Sequence, residues 1–268
     1  MAKTDRSFIQ FPSGFKRSIA ALDEVRPFLP RIPFTTVKTD ISTAPDYRES
    51  KIKRFCDFLL AGLGLIVSSW LWAGIGLAIV IEDGFPILIR QRRIGRFGRL
   101  FQSYKFRSMK KSTLSEVIQT QAKVNDTRIT RVGKVLRKTA MDELPQLLNI
   151  LMGDMSFVGP RALLPKEIEI NGDRKIVKIE EIPGYNKRIL LRPGLTGIGQ
   201  IFCDRDLPRK YKFKYDLLHL KRSGLLYDLS LIILSFFVSF KGRWEVRGLK
   251  SSLLKRNYPL KTVSITRI

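Results

Sequence analysis

The sequence predicts a helix-rich fold: a small domain facing the cytoplasm, carried on a re-entrant membrane helix and bordered by a shorter interfacial or core helix. Three observations lead there. Residues 58–81, FLLAGLGLIVSSWLWAGIGLAIVI, run for 24 residues without a charge. Lys51, Lys53 and Arg54 precede that run, and Arg90, Arg92, Arg93, Arg96 and Arg99 follow it. A second apolar stretch, residues 225–240, has only 16 residues and contains Asp228.

At about 1.5 Å per residue, the first run is long enough for a hydrocarbon core of about 30 Å. It is apolar on every face, which suits lipid better than a surface groove. A single crossing gathers Lys and Arg on its cytoplasmic side only. Bases on both flanks therefore predict that residues 51–88 enter the membrane and return, with a plain crossing as the alternative. Ser68 and Ser69, set among Gly62, Gly64, Gly74 and Gly76, form the expected bend, because their hydroxyls satisfy carbonyls freed there. The 16-residue run is short for a crossing and reads as an interfacial or core helix.

The remaining segments are less patterned. Residues 1–50 carry five prolines and no sustained period, which predicts an irregular N-terminal arm with no signal peptide. Between 90 and 111 there are nine Lys/Arg and no acids, interleaved with Ile94, Phe97, Leu100, Phe101, Tyr104 and Phe106. Such a mixture suits lipid headgroups or bound phosphate. Residues 112–128 read as a polar loop or short helix. Residues 241–268, with eight bases and one acid, read as a basic surface-lying tail.

With 49 Lys+Arg against 24 Asp+Glu, the formal charge is +25. A charge of that size calls for an anionic partner: lipid, nucleic acid or a phosphorylated substrate. The long uncharged run argues against a free nucleic-acid binder, so no nucleic-acid partner is expected. The single histidine, His219, rules out a His-rich metal site and would have to carry any Ser-His-Asp triad alone. Cys56 and Cys203 match no Cys-x-x-Cys pattern and fit a reduced, cytoplasm-facing protein. Chemistry falls to carboxylates, hydroxyls and Lys/Arg.

One acidic pair stands out in RKTAMDELPQLLNILMGDMSFVGPR, residues 137–161. With Asp142 as a helix N-cap, Pro145 lies in the first turn, where its missing N–H costs nothing. Leu147, Leu148, Ile150 and Leu151 then form an apolar face, and Gly153 is the stop. Backbone N–H groups, the helix dipole and Arg137 would all favour an ionised Asp142 and attract phosphate. A carboxylate held ionised among cations serves as nucleophile or metal ligand, both of which phosphoryl transfer needs. The plain alternative is a capping Asp followed by a first-turn Glu.

The motifs KRFCDFLLAGLGLIV, FPILIRQRRIGRFGRLFQSYKFRSM, DTRITRVGKVLRKTAMDELPQLLNILMGDMSFVGPR and LRPGLTGIGQI follow one another in this order. From about Lys51 to Phe240 the chain resembles the bacterial sugar transferase family, the monotopic phosphoglycosyl transferases that start glycan assembly on a polyprenol carrier. The resemblance implies an α/β, α-rich catalytic domain over residues 89–240, small, with interfacial amphipathic helices, facing the cytoplasm at the bacterial inner membrane on the re-entrant membrane helix. It implies a nucleoside diphosphate sugar (a UDP-sugar) and polyprenyl phosphate as substrates, Mg²⁺ as cofactor, and anionic lipids as neighbours. Asp142 would attack the sugar-bearing phosphorus, UMP would leave, and polyprenyl phosphate would take the phosphosugar from the carboxylate. Glu143 would be the Mg²⁺-associated acid, with Asp142 beside the metal.

Lys105 and Arg107 in KFRSM, Arg137, Arg161 and, in RPGLTG, Arg192 look like the family's phosphate-facing bases. Asp216 and Asp228 match acidic positions that support the metal or simply pair with nearby Lys/Arg. The sequence departs from the family in three places. No proline accompanies Ser68 and Ser69, Ala162 stands where a second proline is usual, and IFCDRD replaces a run whose arginine Arg205 would supply. Two rival readings are a glycosyltransferase using Asp204 and Asp206 as its metal motif, and a membrane-attached basic adaptor without catalysis. Neither the sugar nor the oligomeric state has a signature in the sequence.

Overall fold

The computed structural model describes residues 50–110, 126–165, 167–170, 176–203, 208–221 and 224–240. The expected arm up to residue 49, most of the 112–128 loop, Asp204, Arg205, Asp206 and the basic tail lie outside the described residues. Within them the protein is mixed α/β and rich in helix, as expected.

The apolar run forms α1, Lys51–Asp83, a single helix of 33 residues that is long and apolar enough to cross a membrane. Ser68 Oγ donates to Gly64 O at 2.6 Å and Ser69 Oγ to Ile66 O at 2.8 Å. Trp72 Nε1 donates in turn to Ser68 Oγ at 3.2 Å. Hydroxyls bonded back to the preceding turn bend helices gently, and α1 runs through both serines as one continuous helix.

A hairpin follows. β1 (Leu88–Ile94) and β2 (Leu100–Phe106) pair antiparallel, with Ile89 opposite Lys105, Gln91 opposite Ser103 and Arg93 opposite Phe101. Side chains alternate across a strand, so these six residues share one face. α2 (Arg131–Thr139) begins at Thr130, whose hydroxyl accepts from Gly133 N at 2.9 Å. A 3-10 turn, Met141–Glu143, leads to α3 (Gln146–Met152), which ends at Gly153 with φ 94°. That left-handed stop is the one the sequence predicts.

β3 (Ser156–Val158) pairs parallel with β6 (Gly194–Thr196), and β4 (Ile168–Ile170) pairs antiparallel with β5 (Ile176–Lys178). The RPGLTG motif lies against the end of β3. A Cβ on Gly194 would stand 2.1 Å from Gly159 N, so only glycine allows the two chains to meet there. Four helices complete the described structure: α4 (Tyr185–Arg188), α5 (Ile198–Phe202), α6 (Arg209–Lys221) and α7 (Leu225–Phe240). Leu231 of α7 is fully buried against Val158, Ile198, Ile201 and Phe202, while Leu226 and Phe236 face outward. One side of α7 thus packs on the domain and the other is exposed.

α1 is fastened to the domain along two stretches. Ala61 packs with Leu147, Ile150 and Met155, and Ile75 and Ile79 pack with Phe106 and Leu136. Polar groups hold both ends. Near the start, Lys53 pairs with Asp228 of α7, Arg54 Nη2 donates to Leu151 O at 3.0 Å, and Asp57 Oδ1 accepts from Phe157 N at 3.1 Å. At the far end, Glu82 accepts from the N-terminal amides of α2, Arg131 N at 2.6 Å and Val132 N at 2.8 Å. These are donors that a helix start leaves unpaired. Between the two ends, Ile66, Val67, Trp70 and Ile81 are exposed.

The α3–β2 contact has a polar centre. Asn149 is fully buried, donating from Nδ2 to Gln102 O at 2.7 Å and accepting at Oδ1 from Tyr104 N at 3.0 Å. Its amide extends the backbone pairing of β2 like a fragment of a third strand. Asn149→Leu should lower stability by roughly 2–4 kcal/mol, because two strand groups lose their partners in the interior. Thermal unfolding in detergent measures this, and a change under 1 kcal/mol would contradict the seam.

His219 is buried on α6, with Nδ1 3.9 Å from Asp228 Oδ1, and burial together with the Lys53 charge holds its pKa down at about 4. In the unfolded chain it titrates near its ordinary value of about 6.5, so below that pH the unfolded state binds a proton that the folded state refuses. The stability contributed by neutral His219 is therefore complete above about pH 6.5 and drains away as pH falls toward 4. The loss between pH 7 and pH 5 is roughly 2 kcal/mol. Melts at the two pH values should show the wild type losing this increment relative to His219→Gln, and identical shifts would contradict it.

Candidate active site

Ala140 closes α2 in the left-handed region, φ 59°, and turns the chain into the 3-10 turn that carries Asp142 and Glu143. Asp142 is therefore not the N-cap that the sequence predicts. Pro145 occupies that position, and no side-chain cap bond forms there. The reason is local: the left-handed residue inserts an extra tight turn, which sets the acidic pair one turn ahead of α3.

The turn faces the hairpin. Asn149 places α3 against β2, and Lys105 on β2 then reaches Glu143, with Nζ donating to Oε1 at 2.5 Å. Arg161, exposed after β3, brings Nη2 to 3.8 Å from the same oxygen. Glu143 lines a small, half-open cleft together with Arg93, Ser103, Lys105, Gln146, Arg161 and Gln200. Asp142 sits beside this wall, within the fields of Lys105, Glu143, Arg137 and Arg161.

These surroundings split the pair. Burial pushes Asp142 up, against the pull of Lys105, and the neighbouring Glu143 charge pushes it further in the same direction. The sequence predicts the opposite, an Asp142 that ionises unusually easily; its desolvation in the folded protein reverses the sign. Glu143 also suffers burial, but Lys105 and Arg161 outweigh it and hold its carboxyl below the usual range. Lys105 is lowered by burial, against the opposing pull of Glu143. One acid is thus locked as an anion while its neighbour keeps more basic character.

The predicted bases divide into two groups. Lys105, Arg137 and Arg161 gather around the acids. Arg107 does not: only 1% exposed, it donates to Asp83 O at 2.8 Å and Gly84 O at 2.6 Å and so caps the end of α1. Arg192 is half-buried beside the Gly159 turn and does not line the cleft. Asp216 pairs with Arg188 at 2.7 Å, and Asp228 with Lys53, so the pairing alternative describes both.

Arg93, Gln146 and Gln200 line the cleft without having been picked out as site residues. For Arg93 a signal existed: reading 88–94 and 100–106 with a period of two puts it on the same face as Lys105. Burial, then the nearby Arg161 charge, lowers its pKa to about 10.

The cleft's oxygen donors suit a hard cation. Mg²⁺ is commonly held by one or two carboxylates, with phosphate oxygens and water completing its shell. Asp142 and Glu143 are such a pair, and no third acid joins them among the described residues.

Comparison with known proteins places this site in context. The family model described as bacterial sugar transferase matches residues 48–242. The chain is 36% identical over 194 residues to a UDP-glucose:undecaprenyl-phosphate glucose-1-phosphate transferase of Escherichia coli (strain K12), covering 70% of this chain and 40% of that protein. It is 37% identical over 185 residues to a UDP-N-acetylgalactosamine-undecaprenyl-phosphate N-acetylgalactosaminephosphotransferase of Aeromonas hydrophila, covering 68% and 42%. It thus spans about two fifths of the length of these two relatives. The exopolysaccharide production protein PSS of Rhizobium leguminosarum bv. phaseoli is 33% identical over 186 residues, covering 68% of this chain and 91% of the relative.

Proposed function

The chain belongs to the bacterial sugar transferase family, and from that premise we propose that it moves a sugar-1-phosphate from a UDP-sugar to polyprenyl phosphate through an aspartyl intermediate. The observation that carries the reading is the divided acid pair: Glu143 bonded to Lys105, and Asp142 next to it among Lys105, Arg137 and Arg161. The names of the relatives, which specify undecaprenyl phosphate and UDP-sugars, support the choice of substrates.

In this reading the bases bind the diphosphate of the donor, and Arg161 and Lys105 spread the charge of the reacting phosphorus over its oxygens. A carboxylate oxygen of Asp142 attacks the sugar-bearing phosphorus. The bond to the bridging oxygen breaks, and UMP leaves with that electron pair. Polyprenyl phosphate then attacks the same phosphorus, and the Asp142 carboxylate is released. Its raised basicity, produced by burial, favours the first step. Glu143, with Asp142 beside it, would hold Mg²⁺, which when bound neutralises phosphate charge.

The attachment of α1 supports a monotopic arrangement. Asp57 and Asp83 both contact the catalytic domain and lie about 26 residues apart, or roughly 39 Å along a helix at ~1.5 Å per residue. A straight crossing would put the thickness of the bilayer between those two attachment points. Entry and return, which would require Ser68 and Ser69 to bend the continuous helix α1 within the membrane, leaves both on one side. That side is the cytoplasmic face of a bacterial inner membrane, where the basic flanks meet anionic lipid. The product would feed assembly of exopolysaccharide, O-antigen or glycoprotein glycans.

With Mg²⁺ and polyprenyl phosphate, detergent-extracted protein should release UMP from one member of a UDP-sugar panel. Asp142→Asn and Glu143→Gln should each lose at least about 10³-fold in rate. Donor alone should add the mass of a phosphosugar to the peptide containing Asp142. Full activity in Asp142→Asn would sink the covalent route, and release of UDP would point to direct glycosyl transfer instead.

Topology has its own test. Single cysteines at Ser50 and Gly84, in a chain lacking Cys56 and Cys203, should both react with an impermeant maleimide in inside-out vesicles only. Opposite sidedness at the two positions would establish a crossing.

A further inference from the structure

The segment that carries Arg161 is gripped at four successive carbonyls. Pro160 O accepts from Gly194 N at 2.9 Å, and Leu163 O from Ile94 N at 2.9 Å. Between them, Arg161 O accepts from Arg188 Nη2, and Ala162 O from Arg93 Nη1 at 3.0 Å. Two arginines from different elements, α4 and β1, thus hold adjacent peptide groups of one short segment. Each is itself oriented by a further partner. Arg93 Nη2 donates to Gln91 Oε1 at 2.5 Å. Arg188 Nε donates to Asp216 Oδ2 at 2.7 Å, with its guanidinium carbon 4.8 Å from the centroid of the Phe213 ring.

Arg188 and Asp216 are each 5% exposed. Removing two charges from water cancels most of their attraction, so a buried ion pair contributes little net stability compared with an apolar pair. What the pair supplies is direction. A guanidinium is a planar fork with several donors; Asp216 takes one edge and thereby aims another at Arg161 O. The backbone is held while the Arg161 side chain stays exposed, with Nη2 3.8 Å from Glu143 Oε1.

We propose that Arg188, oriented by Asp216, and Arg93 form a clamp that presents the Arg161 guanidinium to the phosphates of the donor. Arg188, Asp216 and Arg93 are then positioning residues that act through Arg161. Asp216 serves the site by aiming an arginine. This inference rests on the reading of the cleft as a diphosphate site.

A double-mutant cycle on the full chain in detergent tests it, with UDP affinity measured by calorimetry and UMP release measured in parallel. Arg161→Gln should weaken UDP binding by about 10- to 100-fold, the range of a lost charge-assisted hydrogen bond. Arg188→Lys keeps a cation opposite Asp216 but loses the planar fork whose separate nitrogens are aimed at Asp216 and at Arg161 O. It should cost about 5- to 10-fold when Arg161 is present and less than about 2-fold when Arg161 is already Gln. Asp216→Asn, which loosens Arg188 without removing it, should show the same dependence and replaces Arg188→Lys if that variant does not fold. Equal losses with and without Arg161 would overturn the clamp, as would unchanged UDP affinity in Arg161→Gln or no UDP binding by the wild type. If the wild type binds UDP yet releases no UMP from any UDP-sugar, the reaction assigned above fails, and the affinity cycle still decides the clamp.

Discussion

Asn149 buries its whole side chain to complete the backbone of β2, and the order of the cleft follows from those two hydrogen bonds. An amide in the middle of LLNILM is an expense that an apolar residue would avoid, and only its paired partners recover it. With α3 seated on β2, the turn before α3 lies opposite Lys105. The Lys105–Glu143 contact therefore depends on a register set six residues later in the chain.

That contact organises the charges. A chain with a formal charge of +25 would repel itself around a cleft lined by Lys105, Arg93 and Arg161. Glu143 supplies the countercharge and is kept anionic by it. The same arrangement leaves Asp142 to carry the cost of burial beside a second negative charge, which raises its basicity. Two adjacent carboxylates of nearly equal intrinsic acidity thereby acquire different roles, and the difference comes from the environment alone.

The long apolar helix α1 joins this system through its few polar residues. Lys53, Arg54 and Asp57 reach α7, the end of α3 and β3, while Glu82 caps α2. α2 ends at the turn that carries the acids, and α3 begins after it, so both helices bracketing the acidic pair are tied to α1. The apolar residues of α1 give it the length and composition of a membrane span, and its charged ends fasten it to the domain.

Lys105 and Arg161 were singled out by the family resemblance, whereas the 24-residue uncharged run, the short apolar stretch at 225–240, the Gly153 stop and the acidic pair beside Arg137 were legible in the sequence itself. Each is a local pattern of period, composition or adjacency, and such patterns survive without knowledge of the fold. Tertiary structure decided the rest. The 3-10 turn in place of an Asp142 cap follows from a left-handed Ala140 that no propensity announces. The upward shift of Asp142 follows from desolvation, which depends on residues distant in the chain. Arg107, Asp216 and Asp228 match positions expected to face phosphate or metal, yet they are occupied by Asp83 and Gly84, Arg188 and Lys53. A motif records that a charge is required at a position; which partner it meets is set only when the chain closes and every buried charge must find one.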